Sequence, residues 1–277
     1  MKKILAITLA ALMVLSFVGC SKDEETATVD ADGGVEKIIE ATVEYEGYEF
    51  GYAVNDRGDY EITYVIYDGA DSIGIEIPAE IDGRDVTGIA KDAFKADTFI
   101  TSVKIPDSIT YIDDFAFYGC TGLTEITLPD SITDIGAGAF MNCDALKTIK
   151  LSAALKNVDN YAFMNCKALE AIALPETLEA IGEGAFFACE TLTAVVIPAS
   201  VKTIGKGAFI YCEKLAAVTV KNANMSFPTD KDELGHDRFI GVFVACADGL
   251  VITADEGSTA KAYALAEEIT FTATAAQ

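Results

Sequence analysis

The chain has 277 residues, and 51% of them are hydrophobic. It contains no tryptophan and has a formal net charge of −24 at pH 7. It shows no basic patch, so its surface should repel the phosphates of nucleic acids and the headgroups of anionic lipids. Composition and charge therefore argue against a DNA or RNA partner.

The first segment, residues 1–19, is predicted to be a lipoprotein signal peptide. Two lysines precede a largely apolar stretch, residues 4–18, which is too short for the roughly 20 apolar residues of a membrane-spanning helix. The sequence FVGC at 17–20 then resembles a bacterial lipobox, which implies that Cys20 becomes the lipid-modified first residue. We therefore expect an exported protein that is anchored by lipid to the bacterial cell membrane and faces outside. Ordinary secretion stays the alternative.

Two further segments precede the main body of the chain. Residues 20–41 are acidic and lack an aromatic residue, which predicts a flexible tether. Residues 42–76 alternate aromatic or β-branched residues with polar ones on both sides of a turn at 55–58, and Asp68-Gly69 marks a further turn. This pattern predicts an N-terminal β-hairpin cap, which would cover the open edge of the sheet that follows.

The hairpin turn contains Arg57-Gly58-Asp59, the tripeptide that integrins recognise. On an exported protein these residues are a candidate integrin-type motif. Asn, Asp and Gly are also the residues that a tight turn requires. Turn chemistry accounts for them by itself, and the integrin motif is a side hypothesis.

From residue 77 the sequence repeats with a period of 23 residues. The pentapeptide AFMNC at 139–143 recurs at 162–166, and two longer series keep the same step. A catalytic group is needed once, whereas a buried position in a stack of like units recurs in every unit, so the period indicates repeat architecture. The series are Phe94, Phe117, Phe140, Phe163, Phe186 and Phe209, each preceded by alanine, and Cys120, Cys143, Cys166, Cys189 and Cys212.

One unit, LTEITLPDSITDIGAGAFMNCDA at 123–145, indicates how a coil is built. Ile126-Thr127-Leu128 alternates as a short strand does, and Pro129 ends its pairing. The position after Ile135 is Gly or Asp in successive units. Because Gly tolerates positive φ and Asp bonds its own backbone, this column predicts a corner.

These repeats resemble the 23-residue, Treponema-type leucine-rich repeat of the BspA-like bacterial surface proteins, with the pattern LxxIxLPxxIxxIGxxAFxxCxx. The resemblance covers about residues 45–277. It implies an α/β repeat solenoid, a leucine-rich-repeat array whose parallel β-sheet consists of short strands. The repeat domain would span 77–277 and end in a helix–strand cap at about 250–277. Residues 222–238 interrupt the register before FVAC at 243–246 resumes it.

The residues that could support other chemistry are few. With Cys20 assigned to lipid attachment, the other cysteines are the series at 23-residue spacing and Cys246, which continues it. We call them the cysteine ladder. We expect their thiols to be reduced and inert, although export leaves disulfides open. His236 is the only histidine, so a multi-histidine metal site is excluded and a Ser or Cys triad would depend on this residue. We expect no catalytic residue, no cofactor and no metal.

Two columns of outward residues flank the inward residue of each predicted strand, and we call them the sheet face. The face carries two lysines and one glutamate in its N-terminal half and no charge in its C-terminal half. Contiguous small apolar exposure often marks an interaction site, although small residues also fit a flat sheet. The columns are Ser102, Glu125, Thr148, Ala171, Ala194 and Ala217, and Lys104, Thr127, Lys150, Ala173, Val196 and Thr219.

The family resemblance implies a cell-surface protein that binds protein or glycan partners, as in adhesion or host-cell interaction, without turnover. A structural scaffold component of the bacterial envelope is the alternative, and the sequence does not separate the two. An enzyme would need titratable groups that converge on a pocket, and the sequence shows no such constellation.

Overall fold

The computed structural model describes residues 26–29, 35–67, 72–231, 237–239 and 241–274. These residues form a solenoid of short parallel strands between a β cap and a helix–strand cap, which confirms the predicted leucine-rich-repeat fold. The predicted signal peptide, Cys20, the Asp68-Gly69 turn and His236 lie outside the described residues.

The strands of the N-terminal half are β1 (Thr26–Val29), β2 (Val35–Tyr45), β3 (Tyr48–Val54), β4 (Tyr60–Ile66), β5 (Ile73–Glu76), β6 (Glu80–Ile81), β7 (Arg84–Ile89), β8 (Ile100–Lys104), β9 (Tyr111–Ile112), β10 (Glu125–Thr127), β11 (Asp134–Ile135) and β12 (Thr148–Lys150). The remaining elements are β13 (Asn157–Val158), β14 (Ala180–Ile181), β15 (Ala194–Ile197), β16 (Thr203–Ile204), β17 (Ala217–Val220), β18 (Thr229–Lys231), β19 (Asp237–Phe239), β20 (Val251–Ala254), helix α1 (Thr259–Ala266) and β21 (Thr270–Ala273).

The N-terminal cap is an antiparallel sheet that becomes parallel where the repeats begin. Strands β1 to β4 pair in sequence, and β4 then pairs in parallel with β7. The hairpin of β3 and β4 is the predicted one. Strands β1 and β2 include residues of the segment 20–41 that the sequence predicts to be a tether, so strand pairing extends further toward the N-terminus than residue 42.

Each coil contributes to parallel ladders on two sides of the solenoid. One ladder joins β7, β9, β11, β13, β14 and β16, and the other carries the sheet face. The sheet-face ladder consists of two four-stranded sheets, β5-β8-β10-β12 and β15-β17-β20-β21. Residues 171–174, which lie between the two sheets, do not form a strand. The parallel sheet that the sequence predicts is therefore interrupted at this coil.

The third side is formed by the A-F-x-x-C segments, and hydrogen bonds join these segments from coil to coil. The amide of Phe117 donates to the carbonyl of Ala139 at 2.8 Å, and Phe140 donates to Ala162 in the same way. We call this side the turn face. Its outward residues follow each buried phenylalanine and are Tyr118, Met141, Met164, Phe187, Ile210 and Val244.

The phenylalanine column fills the interior between these sides. The six predicted rings are buried, and neighbouring rings stack with centroids 4.9 to 5.4 Å apart. Phe243 continues the stack beyond Phe209 at 5.4 Å. The ring column therefore bridges the insertion at 222–238, as the resumed F-x-x-C spacing indicates.

The predicted reason for the Gly and Asp corner column is wrong in part. Gly136 and Gly182 do not have positive φ. They are needed because a Cβ at Gly136 would lie 2.6 Å from the amide nitrogen of Asp114, and one at Gly182 would lie 2.5 Å from that of Asn160. Asp113 bonds its local backbone as predicted, since its carboxylate accepts from the amide of Asp114 at 2.7 Å. Close approach between coils, rather than φ, selects glycine here.

The C-terminal cap closes the array through one tyrosine. Tyr263 on α1 is buried, stacks on Phe227 with centroids 4.4 Å apart, and its hydroxyl accepts from the amide of Val242 at 2.7 Å. Burial raises the pKa of Tyr263 to about 12. Ser258 begins the helix, because its side chain accepts from the amide of Lys261 at 3.2 Å.

Candidate binding surface

The structure aligns the predicted columns of the sheet face wherever strands are present. Glu125 pairs in register with Ser102 and Thr148, and Thr127 pairs with Lys104 and Lys150. In the second sheet, Ala194 pairs with Ala217, and Val196 pairs with Thr219. The two columns are outward in each strand, since the central residues Ile126, Ile149, Val195 and Val218 are buried.

A groove of about 700 Å³ lies on the N-terminal half of the sheet face. Its floor includes the predicted residues Lys104, Glu125, Thr127 and Lys150. Its volume falls in the range typical of ligand clefts, about 300–1,000 Å³. The depression thus coincides with the charged half of the face rather than with the alanine-rich half.

The two lysines of the groove differ in their surroundings. The Lys104 ammonium forms an ion pair with Glu76 at 2.5 Å, and the hydrogen bond from this pair raises the pKa of Lys104. Lys150 has no ion pair within the described residues. Lys150 is therefore the cation of this groove that is available to an incoming anionic group.

The outward columns in the C-terminal half of the sheet face carry no charged residue. Ala194 and Ala217 are exposed, and Val196 is 46% exposed. Ala171 and Ala173 are also exposed, but they lie in the coil without a strand, so they are not hydrogen-bonded into either sheet. The small-residue surface that the sequence predicts is present, and an interruption separates it from the charged half.

Sequence reasoning missed the lower rim of the groove. Asp107, Asp130 and Ser131 line it beside Pro129. The oxygen of Asp130 accepts from the amide of Ala153 in the next coil at 2.9 Å. The recurring P-D-S sequence after two of the strands was the available signal, because residues that follow a strand lie at the same edge of the sheet.

The Arg57-Gly58-Asp59 turn lies on the N-terminal cap, away from the groove residues in sequence. Asn55 organises the turn, since its side-chain oxygen accepts from the amides of Arg57 at 3.0 Å and Asp59 at 3.1 Å. Gly58 has φ +87°, and both Arg57 and Gly58 are exposed. The turn chemistry invoked for these residues is thus present in the hairpin, and integrin-type recognition stays a prediction.

The cysteine ladder is a hydrogen-bonding column rather than a reactive site. The thiols of Cys120, Cys143, Cys166, Cys189, Cys212 and Cys246 each donate to a phenylalanine carbonyl of the preceding coil, at 3.1 to 3.3 Å. None of these described cysteines forms a disulfide. Burial raises the pKa of the Cys166 and Cys189 thiols well above the ordinary value, and raises that of Cys246 to about 12. A thiol needs its thiolate form to be a nucleophile or a metal ligand, and the burial that raises these pKa values disfavours that form in the folded chain.

Across the described ranges, His, Cys, Asp and Glu side chains form no group of three or more that could hold a metal ion. No helix in the described part of the chain has the length and apolar character that a membrane span requires.

Solved structures of bacterial repeat proteins are similar to this chain. A T. pallidum leucine-rich repeat protein has 27% identity, with 77% of this chain and 86% of that chain covered and a TM-score of 0.48. A leucine rich cell surface protein of Faecalibacterium prausnitzii has 25% identity, coverage of 79% and 71%, and a TM-score of 0.49. A leucine-rich repeat protein of Eubacterium ventriosum has 24% identity, coverage of 70% and 50%, and a TM-score of 0.52, a likeness of fold. No curated protein matches the chain significantly.

The repeats also match a protein family directly. Residues 87–216 match the BspA type leucine-rich repeat region in 6 copies. This range is narrower than the predicted 45–277 and leaves both caps outside the match. The 23-residue period, the buried phenylalanine column and the parallel ladders all lie in this region or continue from it. Residues 87–216 of this chain are therefore a BspA-type leucine-rich repeat region.

Proposed function

We propose that the chain is an exported, lipid-anchored, non-enzymatic surface protein that binds a protein or glycan partner through its sheet face, in adhesion or host-cell interaction. One observation carries the proposal. The outward columns of the sheet face stand in register on both sides of the interruption, and they combine a groove of about 700 Å³ with an uncharged surface of mostly small residues. A face with a groove in its N-terminal half and an uncharged surface in its C-terminal half suits a partner that extends along several coils.

The inward chemistry of the repeats supports a binding role rather than turnover. The thiols of the cysteine ladder are buried and engaged with backbone carbonyls. The groove holds lysine, glutamate and hydroxyl side chains, but among these described residues no hydroxyl is hydrogen-bonded to a side-chain base that would activate it as a nucleophile. Export and lipid anchoring rest on the N-terminal sequence, residues 1–20.

A binding assay on the full chain tests the proposal. Wild type is screened against host matrix proteins, host cells and bacterial envelope extracts, beside the variants Lys150→Glu and Ala194→Glu/Ala217→Glu. We expect partner binding that both variants weaken by tenfold or more, because each places a new carboxylate in a surface that the partner covers. Circular dichroism of each variant, compared with wild type, checks that the fold is retained.

Four outcomes are informative. Loss with Lys150→Glu alone would place the partner in the groove, and loss with the double variant alone would place it on the uncharged half of the sheet face. Equal binding by wild type and both variants shows that the sheet face is not the site. Capture from envelope extracts, without binding to host proteins, would replace adhesion by the scaffold role.

A further inference from the structure

The turn face carries an unbroken apolar column that the sheet-face proposal does not use. From Tyr118 to Val244, every residue that follows a buried phenylalanine is apolar or aromatic, and in the first coil the equivalent position is Lys95. These side chains are half-buried, apart from the exposed Val244. Tyr161, Tyr211 and Val244 lie on this side and are 38%, 50% and 46% exposed.

Aromatic residues occupy backbone positions on this face that favour other residues. Tyr211 has φ +60°, and the equivalent positions of earlier coils hold Asn142 and Asn165 at φ +62° and +60°. Bulky side chains are rare in this left-handed region, which suits Gly and Asn. Tyrosine at position 211 is therefore not selected by the local backbone, and strain of this kind concentrates at functional sites.

At the N-terminal end of the turn face, the ammonium group of Lys95 lies near two aromatic rings. The Lys95 ammonium lies 5.9 Å from the ring centroid of Phe115 and 5.8 Å from that of Tyr118. It also forms an ion pair with Asp92 at 2.8 Å. Two rings and a carboxylate surround one ammonium group, an arrangement that combines cation–π attraction with ion pairing.

A second aromatic pair lies at the other end of the turn face. The rings of Phe187 and Tyr211 lie edge to face with centroids 5.3 Å apart. Glu190 and Glu213 follow the cysteines of the same two coils. Within the described residues, no lysine or arginine lies over either ring, and neither carboxylate has an ion pair.

We propose that the turn face docks a cationic amphipathic segment of a partner protein. A lysine or arginine of the segment occupies the Phe187–Tyr211 pair beside Glu190 and Glu213, and its apolar side chains lie along Met141, Met164, Ile210 and Val244. The net charge of −24 favours a basic partner and disfavours a second copy of this chain as the occupant. The turn-face site is separate from the sheet face, so an experiment can contradict one of the two proposed binding sites without contradicting the other.

A peptide titration on the full chain tests the docking site. The probe is a synthetic Leu/Lys peptide whose leucines lie on one helical face, and it contains a single tryptophan. Because the chain has no tryptophan, the fluorescence of the peptide reports binding directly. A peptide of the same composition with dispersed leucines controls for attraction by net charge alone.

The decisive variant is Tyr211→Asn, and Val196→Asn is its control. Asparagine already occupies the equivalent positions 142 and 165 with the same φ, so the fold should persist. Val196 is 46% exposed on the sheet face, close to the exposure of Tyr211. We expect Tyr211→Asn to weaken binding of the patterned peptide roughly tenfold, and Val196→Asn to leave it unchanged. The double variant Glu190→Gln/Glu213→Gln should weaken it as well.

Several results would overturn the proposal. Equal affinity for the patterned and dispersed peptides would reduce the interaction to net charge. Unchanged binding by both Tyr211→Asn and the glutamine double variant would place the peptide elsewhere. Equal losses from Tyr211→Asn and Val196→Asn would show that the effect is not confined to the turn face.

Discussion

The sheet face and the turn face are built by the same coils, but they constrain their outward residues differently. On the sheet face the backbone is extended, and lysine, glutamate, threonine and alanine all occupy equivalent outward positions. On the turn face two columns adopt positive φ, where a non-glycine residue costs about 1–3 kcal/mol, and yet Phe115, Tyr161 and Tyr211 occupy them. Backbone strain therefore does not restrict the choice of outward residue on the sheet face, but it disfavours residues other than glycine in two columns of the turn face.

Substitution of the shared interior should have the largest effect, because both faces rest on it. Phe163 is buried and stacks on Phe140 and Phe186 at 5.4 Å. We expect Phe163→Ala to lower the free energy of unfolding by about 3–5 kcal/mol, through lost burial and the cavity that remains. Denaturant unfolding measures it, with the half-buried neighbour Met164→Ala as the control. Equal losses from both variants would contradict a ring column at the centre of the fold.

A smaller loss should follow from adding a methyl group between coils. In Gly182→Ala, the new Cβ would lie 2.5 Å from the amide nitrogen of Asn160 and 2.6 Å from the carbonyl carbon of Asp159. Because the backbone must shift, we expect a loss of about 1–3 kcal/mol. Gly257→Ala is the control, since no atom lies within 4 Å of its added Cβ. Thermal unfolding that is unchanged in Gly182→Ala would show that close approach is not what selects glycine.

The cysteine ladder makes stability depend on alkaline pH. Burial raises the pKa of the Cys166 thiol, so the folded chain keeps this proton while the unfolded thiol loses it above a pKa of about 8.5. The stabilisation is complete below that pH and decreases as pH rises above it, by about 1.4 kcal/mol per pH unit until the folded pKa is reached.

Serine at position 166 provides the test, because it retains a hydroxyl donor and does not titrate in this range. Unfolding free energies of wild type and Cys166→Ser are compared at about pH 7.5 and about pH 9.5, and the decrease should be about 1 kcal/mol smaller in the variant. An identical decrease in both proteins would mean that the thiol is ionised in the folded chain.

The smallest effect is expected on the sheet face. Ala194→Glu adds a side chain at an exposed position with an extended backbone, so the free energy of unfolding should change by no more than about 0.5 kcal/mol. Thermal unfolding beside wild type measures it. A loss of more than about 1 kcal/mol would show that position 194 is constrained by packing.

Residue periodicity predicted the buried columns well, because inward positions repeat for the same reason in every coil. The Phe and Cys columns lie where the repeat places them, and so do the sheet-face strands, apart from the coil at 171–174 that forms no strand. The closing helix and strand, which the family resemblance implied, are α1 and β21. The sheet-face columns also followed from period-two alternation. The groove rim at Asp107 and Asp130 did not, because it depends on which strand ends lie side by side across coils.

The sequence by itself determined the solenoid, its period and its interior, since each of these requires the same residue types at a constant spacing. Only the tertiary structure decided what neighbouring coils do to one another. Contacts between neighbouring coils explain why Gly136 is glycine, why the cysteine thiols bond phenylalanine carbonyls, and why Lys95 lies over two rings. These effects depend on distances between coils, which no single repeat specifies.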